Sequence, residues 1–249
     1  MEKKGTTNFG YKEVDIEAKE KLVRNVFDSV ASRYDLMNDF MSFGTHRLWK
    51  KIAVELSDVN PGQKILDLAS GTGDLAQHFA NTIRNDGLII MSDINAKMLV
   101  NGRKKLMDKG IIENIAFAQI NAETLPFSNN SFDLITIAFG LRNVTNKNNA
   151  LRSAYEVLKP GGRIVILEFS KPRNKMLRKI YDSYSFSILP KLGSIITNDR
   201  DSYQYLAESI RMHPDQELLK SMMEESGFEK CDIHNLSGGI VAIHRGFKL

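Results

Sequence analysis

A chain of 249 residues, 42% hydrophobic and 26% charged, has the balance of an ordinary globular domain and the length for one α/β unit with additions. Its net charge of +4 and isoelectric point near 9.0 suit an anionic ligand or a membrane surface, but the basic residues are scattered and no nucleic-acid-binding motif is present. The single cysteine, Cys231, rules out an intrachain disulfide and a cysteine-based zinc site, and none of the five histidines stands in a metal-ligand pattern, so no metal is expected.

Taken in chain order, the residues up to about Tyr11 are polar and are expected to be mobile. They lack the apolar stretch of a signal peptide, and no apolar run approaches the ~20 residues that span a bilayer. The chain is therefore expected to be cytoplasmic, or at most peripheral at the inner face of a membrane. Between Glu17 and Tyr34, Leu22, Val23, Val26, Phe27 and Val30 recur at helical spacing, and a second helix is predicted from Gly44 through Leu56. Pro61-Gly62 marks a turn. Then comes a regular alternation: a strand at Lys64–Ala69, a helix at Asp74–Thr82, a strand at Gly87–Ser92, a helix at Ala96–Lys109 and a strand at Ile115–Gln119. A fourth strand at Phe132–Ala138 and a helix at Asn148–Leu158 follow. Pro160-Gly161-Gly162 is expected to break the chain before a fifth strand, Arg163–Phe169.

Such alternation implies βαβ units and a mostly parallel sheet. Phe228–Asn235 and Ile240–Arg245, flanking Ser237-Gly238-Gly239, read as a terminal antiparallel hairpin, bringing the sheet to seven strands. One domain results, with helices over 1–60, a core over 61–170, an aromatic-rich insertion over 171–211 and the hairpin region over 212–249. The insertion carries Tyr181, Tyr184, Phe186, Tyr203 and Tyr205.

The central motif is Asp67-Leu68-Ala69-Ser70-Gly71-Thr72-Gly73-Asp74, between a predicted strand and a predicted helix. Gly71 and Gly73 permit a tight turn and close backbone approach to a ligand. Gly71 through Ala76 also fits the dinucleotide pattern G-x-G-x-x-G/A, so a nicotinamide cofactor remains a competitor here. Asp93 ends the second strand 20 residues beyond Gly73, where a carboxylate can accept both hydrogen bonds of a ribose diol. Asp67 and Asp74 have two readings, as holders of a ligand's amino group or as capping carboxylates of the turn.

Asn121-Ala122-Glu123-Thr124-Leu125-Pro126-Phe127 with Ser131-Phe132-Asp133, and Glu156-Val157-Leu158-Lys159-Pro160-Gly161-Gly162, complete a set that resembles the class I methyltransferases dependent on S-adenosylmethionine (SAM), with their Rossmann-like fold. Four further stretches, Val30–Asp39, Ser42–Lys50, Phe139–Val144 and Tyr203–Ile210, are similar to the ubiquinone/menaquinone biosynthesis C-methyltransferase family, and that likeness runs from about Thr7 to Leu249.

The resemblance implies C-methylation of a polyprenylated quinol: demethylmenaquinol to menaquinol, or the 2-methoxy-6-polyprenyl-1,4-benzoquinol to its 5-methyl product. The alternatives are a methyltransferase for another small molecule and a non-catalytic member of a quinone-synthesis complex. Contacts to the cofactor map onto Thr72, Asp93, Asn121 and Ala122, with Gly71 and Gly73 in the turn. Ala138 departs from the Ser that related chains often carry. The implied partners are the lipid quinol, a membrane surface touched peripherally, and further subunits in a homo-oligomer or a quinone-synthesis assembly.

The chemistry adds its own requirement. A ring carbon attacks a methyl group only when a ring oxygen feeds electrons into it, so the acceptor must be a reduced quinol. A phenol, with a reference pKa near ~10 as in tyrosine, is neutral at pH 7 unless a cation or a base favours its anion. Arg142, just past the fourth strand, is the first candidate for stabilising that anion, with a surface ion pair as its other reading. Tyr34 is the second, as a hydrogen-bond partner in an N-terminal helix that could cover the site, or as a packing residue. Glu168, His46 and His213 follow as lesser candidates. Met176, Leu177, Ile180, Tyr181 and Tyr184, interleaved with Arg178 and Lys179, fit an interfacial helix or a lid packed on the sheet.

Overall fold

The computed structural model describes residues 5–31, 34–83, 86–188, 190–191 and 199–249, and leaves out the side chains at 34–36 and 40. The chain opens with a two-stranded antiparallel hairpin, β1 (Thr6–Phe9) and β2 (Lys12–Asp15). This corrects the expectation of a mobile start. Phe9 stacks on Tyr205 with centroids 4.1 Å apart, and the Tyr11 amide donates to Glu208 Oε2 at 3.0 Å. Short-range pattern carries no sign of either partner, which lies almost 200 residues away.

Helices α1 (Ile16–Val30), α2 (Tyr34–Ser42) and α3 (His46–Leu56) follow. The sequence reading joined Tyr34 to the first helix and missed α2 as an element. The core then runs through β3 (Lys64–Leu68), α4 (Asp74–Ile83), β4 (Leu88–Asp93), α5 (Ala96–Met107), β5 (Ile115–Gln119), β6 (Phe132–Ala138), a 3₁₀ turn (Leu141–Asn143), α6 (Lys147–Val157) and β7 (Leu158–Phe169). These bounds fall within two residues of expectation except for β7. That strand begins at Leu158 and continues through Pro160-Gly161-Gly162, where a break was expected. The register against β6 shifts between Phe132 and Leu134, Gly161 takes φ +80°, and its amide donates to the Lys248 carbonyl at 2.6 Å. The Pro-Gly-Gly segment is thus a bulge at the strand's start rather than its end.

The insertion forms α7 (Lys175–Ser183), a π-helical turn (Tyr184–Ile188) and α8 (Arg200–Met212). Helix α9 (Gln216–Glu225) precedes the hairpin β8 (Glu229–Leu236) and β9 (Val241–Phe247). No helix of the described residues is long and apolar enough to cross a membrane.

The seven strands lie in the order β5-β4-β3-β6-β7-β9-β8, parallel from β5 to β7 and antiparallel beyond. Side chains alternate across this sheet with period two. Ile65, Leu134 and Val165 pack with Phe79 in one buried cluster; their neighbours Leu66, Ile135 and Ile164 pack with Leu151 in another. Both faces are covered, so the strands read as continuous apolar runs. From β3 the chain winds outward to β4 and β5, then returns to place β6 on the other side of β3. A crevice opens at the carboxyl ends of the strands where that direction reverses.

Phe79 of α4 is fully buried in the first cluster. Replacing it with Ala should lower the free energy of unfolding by about 3–5 kcal/mol, read from urea denaturation. A loss under about 1 kcal/mol would mean that α4 is not packed as described.

Candidate active site

Strand β3 ends in a turn that L residues rarely adopt: Ala69, Gly71 and Gly73 have φ of +50°, +55° and +81°. A Cβ at Gly73 would meet Met91 Cε at 2.7 Å, so this glycine lets α4 start directly over β4. A Cβ at Gly140, after β6, would meet Ala69 Cβ at 2.4 Å. Both turns are therefore held close together, and a cleft with about 860 Å³ of empty space, open to solvent, lies between them, β4 and the end of β5.

Of the residues expected to hold a cofactor, Gly71, Asp93, Asn121 and Ala122 line this cleft. Asp93 joins two turns: Oδ2 accepts from the Gly71 amide at 3.0 Å and Oδ1 from the Asn95 amide at 2.9 Å. Burial pushes its carboxyl up, and the backbone amides of Asn95, Gly71 and Ile94 oppose that rise. A carboxylate has about four acceptor sites, so two backbone bonds leave capacity for a diol facing the cleft. Asn121 Oδ1 accepts from the Glu123 amide at 2.9 Å. Glu123 Oε1 in turn accepts from the amides of Thr145 and Asn146, both at 3.1 Å, and ties the wall after β5 to the wall after β6. Thr72 and Gly73 sit in the turn beneath and are not among the described lining residues; Thr72 is buried.

One wall comes from the N-terminal helix, which the sequence reading offers as a cover for the site. Glu20, Val23, Arg24 and Phe27 of α1 close over the cleft. Asn95 fastens them: its side-chain oxygen caps α5 by accepting from the amides of Lys97 and Met98, while its amide nitrogen donates to Asp28 Oδ1 at 2.8 Å. Lys97 adds an ion pair to Asp28 at 2.7 Å. Helical periodicity predicted α1 but not where its face docks.

Asp74 opens α4 as the acidic residue of its first turn, the helix N-terminal reading, whereas Asp67 lies within β3. Asp67, mid-sheet, accepts from Thr136 Oγ1 at 2.7 Å, and burial pushes its carboxyl up to about 7. Burial also pushes the Asp74 carboxyl up, but Lys50 at 2.5 Å and Lys105 at 2.8 Å override it and hold it well below the usual carboxylate range.

Arg142 is placed differently from a surface ion pair. It is 5% exposed, in the turn after β6. Nη1 donates to Glu168 Oε1 at 2.9 Å and to the Phe139 carbonyl at 2.5 Å, and the Arg142 amide donates to Glu168 Oε2 at 3.1 Å. Its guanidinium lies 5.5 Å from the Phe169 ring, next to Phe139 and Trp49. Nε is buried with no partner among the described residues. Gly140 and Asn143 of the same turn line the cleft, and Asn143 Oδ1 accepts from the Tyr205 hydroxyl at 3.0 Å. Glu168 is thus the partner of Arg142. Tyr34 opens α2, and its side chain lies outside the described residues. His46 is buried and bonded through Nε2 to Asp39 at 3.0 Å; His213 is buried with neither ring nitrogen partnered among the described residues. Burial pushes both imidazoles down, His213 far down.

Truncating Arg142 to Ala should cost about 3–5 kcal/mol of stability, because Glu168 would be left charged and buried without its cation. An unchanged denaturation midpoint would show that the pair is not formed. Asp67 gives a pH test. Its folded value of about 7 stands above the ordinary 3.8, so its stability contribution is intact below about 3.8 and is lost as pH rises through about 7. Between about pH 5 and 8 the melting temperature of Asp67→Asn should therefore fall less than that of the wild type. Parallel curves would place the Asp67 carboxyl in water.

The comparisons with known proteins agree on one assignment. Among solved structures, a SAM-dependent methyltransferase from Thermotoga maritima matches with a TM-score of 0.65 at 18% identity, covering 90% of this chain and 99% of that one. One from Aquifex aeolicus gives 0.57 at 14%, covering 80% and 89%. The [4+2]-cyclase SpnF gives 0.61 at 16%, covering 92% and 96%, so the fold alone does not fix the reaction. Sequence relatives are far nearer. The ubiquinone/menaquinone biosynthesis C-methyltransferase UbiE of Shewanella baltica strain OS223 is 58% identical over 243 residues, which is 98% of this chain and 97% of the relative. Its namesake from Shewanella sp. strain ANA-3 is 59% identical over 242 residues, 97% and 96% of the two chains. The dinucleotide reading of the glycine turn falls away, since the matching family model covers residues 15–248, turn and cleft included, and the chain belongs to the ubiE/COQ5 methyltransferase family.

Proposed function

We propose that the chain methylates a ring carbon of a polyprenylated quinol, taking the methyl group from SAM. The demethylmenaquinol and the 2-methoxy-6-polyprenyl-1,4-benzoquinol are the proposed acceptors. One observation carries this reading: the single turn Gly140–Asn143 faces both ways. Gly140 and Asn143 line the cleft, and Arg142 between them sets its guanidinium, with Nε unpartnered among the described residues, beside Phe169 of a buried aromatic cluster.

The cleft fits the cofactor. Asp93 retains acceptor capacity for a ribose diol, the Ala122 segment offers a backbone edge for an adenine, and Met98 and Ile94 give apolar walls. SAM supplies a methyl group on a sulfonium, and the protein's task is to hold the acceptor in line and to make its carbon nucleophilic. Arg142 stabilises the phenolate oxygen through Nε while Glu168 and the Phe139 carbonyl fix the guanidinium. Trp49, Phe139 and Phe169 exclude water, which strengthens that contact. Tyr34 is proposed as a further hydrogen-bond partner of the acceptor. The prenylated acceptor is lipid-borne, so peripheral contact with a bilayer belongs to the same proposal.

Methyl transfer from labelled SAM to demethylmenaquinone should appear only when a reductant is present. Asp93→Ala should weaken SAM binding by roughly ten- to a hundredfold, the size of a lost charged hydrogen bond. Transfer to the oxidised quinone, or to neither quinol class, would overturn the proposal.

A further inference from the structure

The two most exposed large apolar side chains among the described residues, Phe43 and Met176, lie beside two further exposed ones, Ile180 and Ile188. Phe43 is 74% exposed, Met176 72%, Ile180 58% and Ile188 46%. They are not scattered. Phe43, Leu177, Ile180, Tyr184 and Ile188 line a single open groove, with the Phe43 and Tyr184 rings 4.6 Å apart and Lys179 on its edge. Met176 stands one turn before Ile180 on the same side of α7.

The backbone sustains this exposure. Phe43 takes φ +51°, a conformation costly for an aromatic residue, and it holds its ring toward solvent. Residues 184–188 form a π-helical turn that keeps Tyr184 and Ile188 on the groove side. The surroundings are basic. From 173 to 191 the chain carries Arg173, Lys175, Arg178, Lys179 and Lys191, all exposed, against one acid, Asp182, which is paired to Arg211. A contiguous apolar patch of this kind marks an interaction site, and a rim of cations selects an anionic one.

We infer that the α7 face, with Phe43 and the π-helical turn, docks the protein on an anionic lipid bilayer. The apolar side chains enter the headgroup boundary, and Lys179 with the exposed cations near it meets lipid phosphates. This deepens the peripheral bilayer contact proposed above by naming the face that makes it, and its test needs no methyl transfer.

Sedimentation of the full chain with vesicles tests it, with no methyl donor or acceptor present. The protein should pellet with phosphatidylcholine vesicles containing phosphatidylglycerol, far less with phosphatidylcholine alone, and less as salt rises. The double variant Met176→Glu/Ile180→Glu should bind at least about ten times more weakly with an unchanged melting temperature. Leu218→Glu, an equally exposed apolar site on α9, should bind as the wild type does. Equal binding by the double variant, equal loss in Leu218→Glu, or no binding to anionic vesicles by the wild type would overturn the inference. Self-association that the double variant abolishes, in a wild type that ignores vesicles, would give the face to a second copy of this chain instead.

Discussion

The carboxylate of Asp93 is the joint on which the cleft depends. It receives one backbone N–H from the turn after β3 and another from the turn after β4, so two loops that differ in sequence and length share one anchor. An unpaired carboxylate at this depth would be costly, and the two bonds make its burial tolerable. The same bonds set the separation of the loops and so the width of the site. Asn95, positioned by that joint, caps α5 on one side and holds α1 through Asp28 on the other. A single carboxyl group thus organises floor and roof.

A second buried charge organises the neighbouring space. Arg142 and Glu168 come from the ends of adjacent parallel strands, and each is almost wholly removed from water. Glu168 accepts from the guanidinium and from two backbone amides, those of Arg142 and Phe169, whereas Arg142 Nε has no partner among the described residues. Desolvation of such a pair is repaid only when nearly every donor and acceptor is used. On the proposed function that N–H would meet an acceptor arriving with a ligand, and the guanidinium lies beside Phe169, which packs with Trp49 and Phe139.

The insertion after β7 serves both surfaces. Tyr203 and Tyr205 of α8 are buried inward, where Tyr205 reaches Asn143 at the cleft wall and stacks on Phe9. On α7, Met176 and Ile180 turn outward beside lysines and an arginine, while Tyr181 is buried. One stretch of chain so links the interior of the site to an apolar, basic exterior.

The sequence by itself determined the alternation of strands and helices, because parallel strands covered on both faces must be apolar throughout and the helices between them must repeat every 3.6 residues. It also marked Gly71, Asp93, Asn121 and Ala122, since a turn of glycines and a strand-ending carboxylate are local patterns. Only the tertiary structure decided the N-terminal hairpin, the contacts that fasten α1 over the cleft and the burial of Arg142 against Glu168. Each of these rests on partners far apart in the chain: Phe9 on Tyr205, Asp28 on Asn95, and an arginine on a carboxylate 26 residues away. Local periodicity reports which face of an element is apolar or charged. Which other element will meet that face is settled by the packing of the whole sheet.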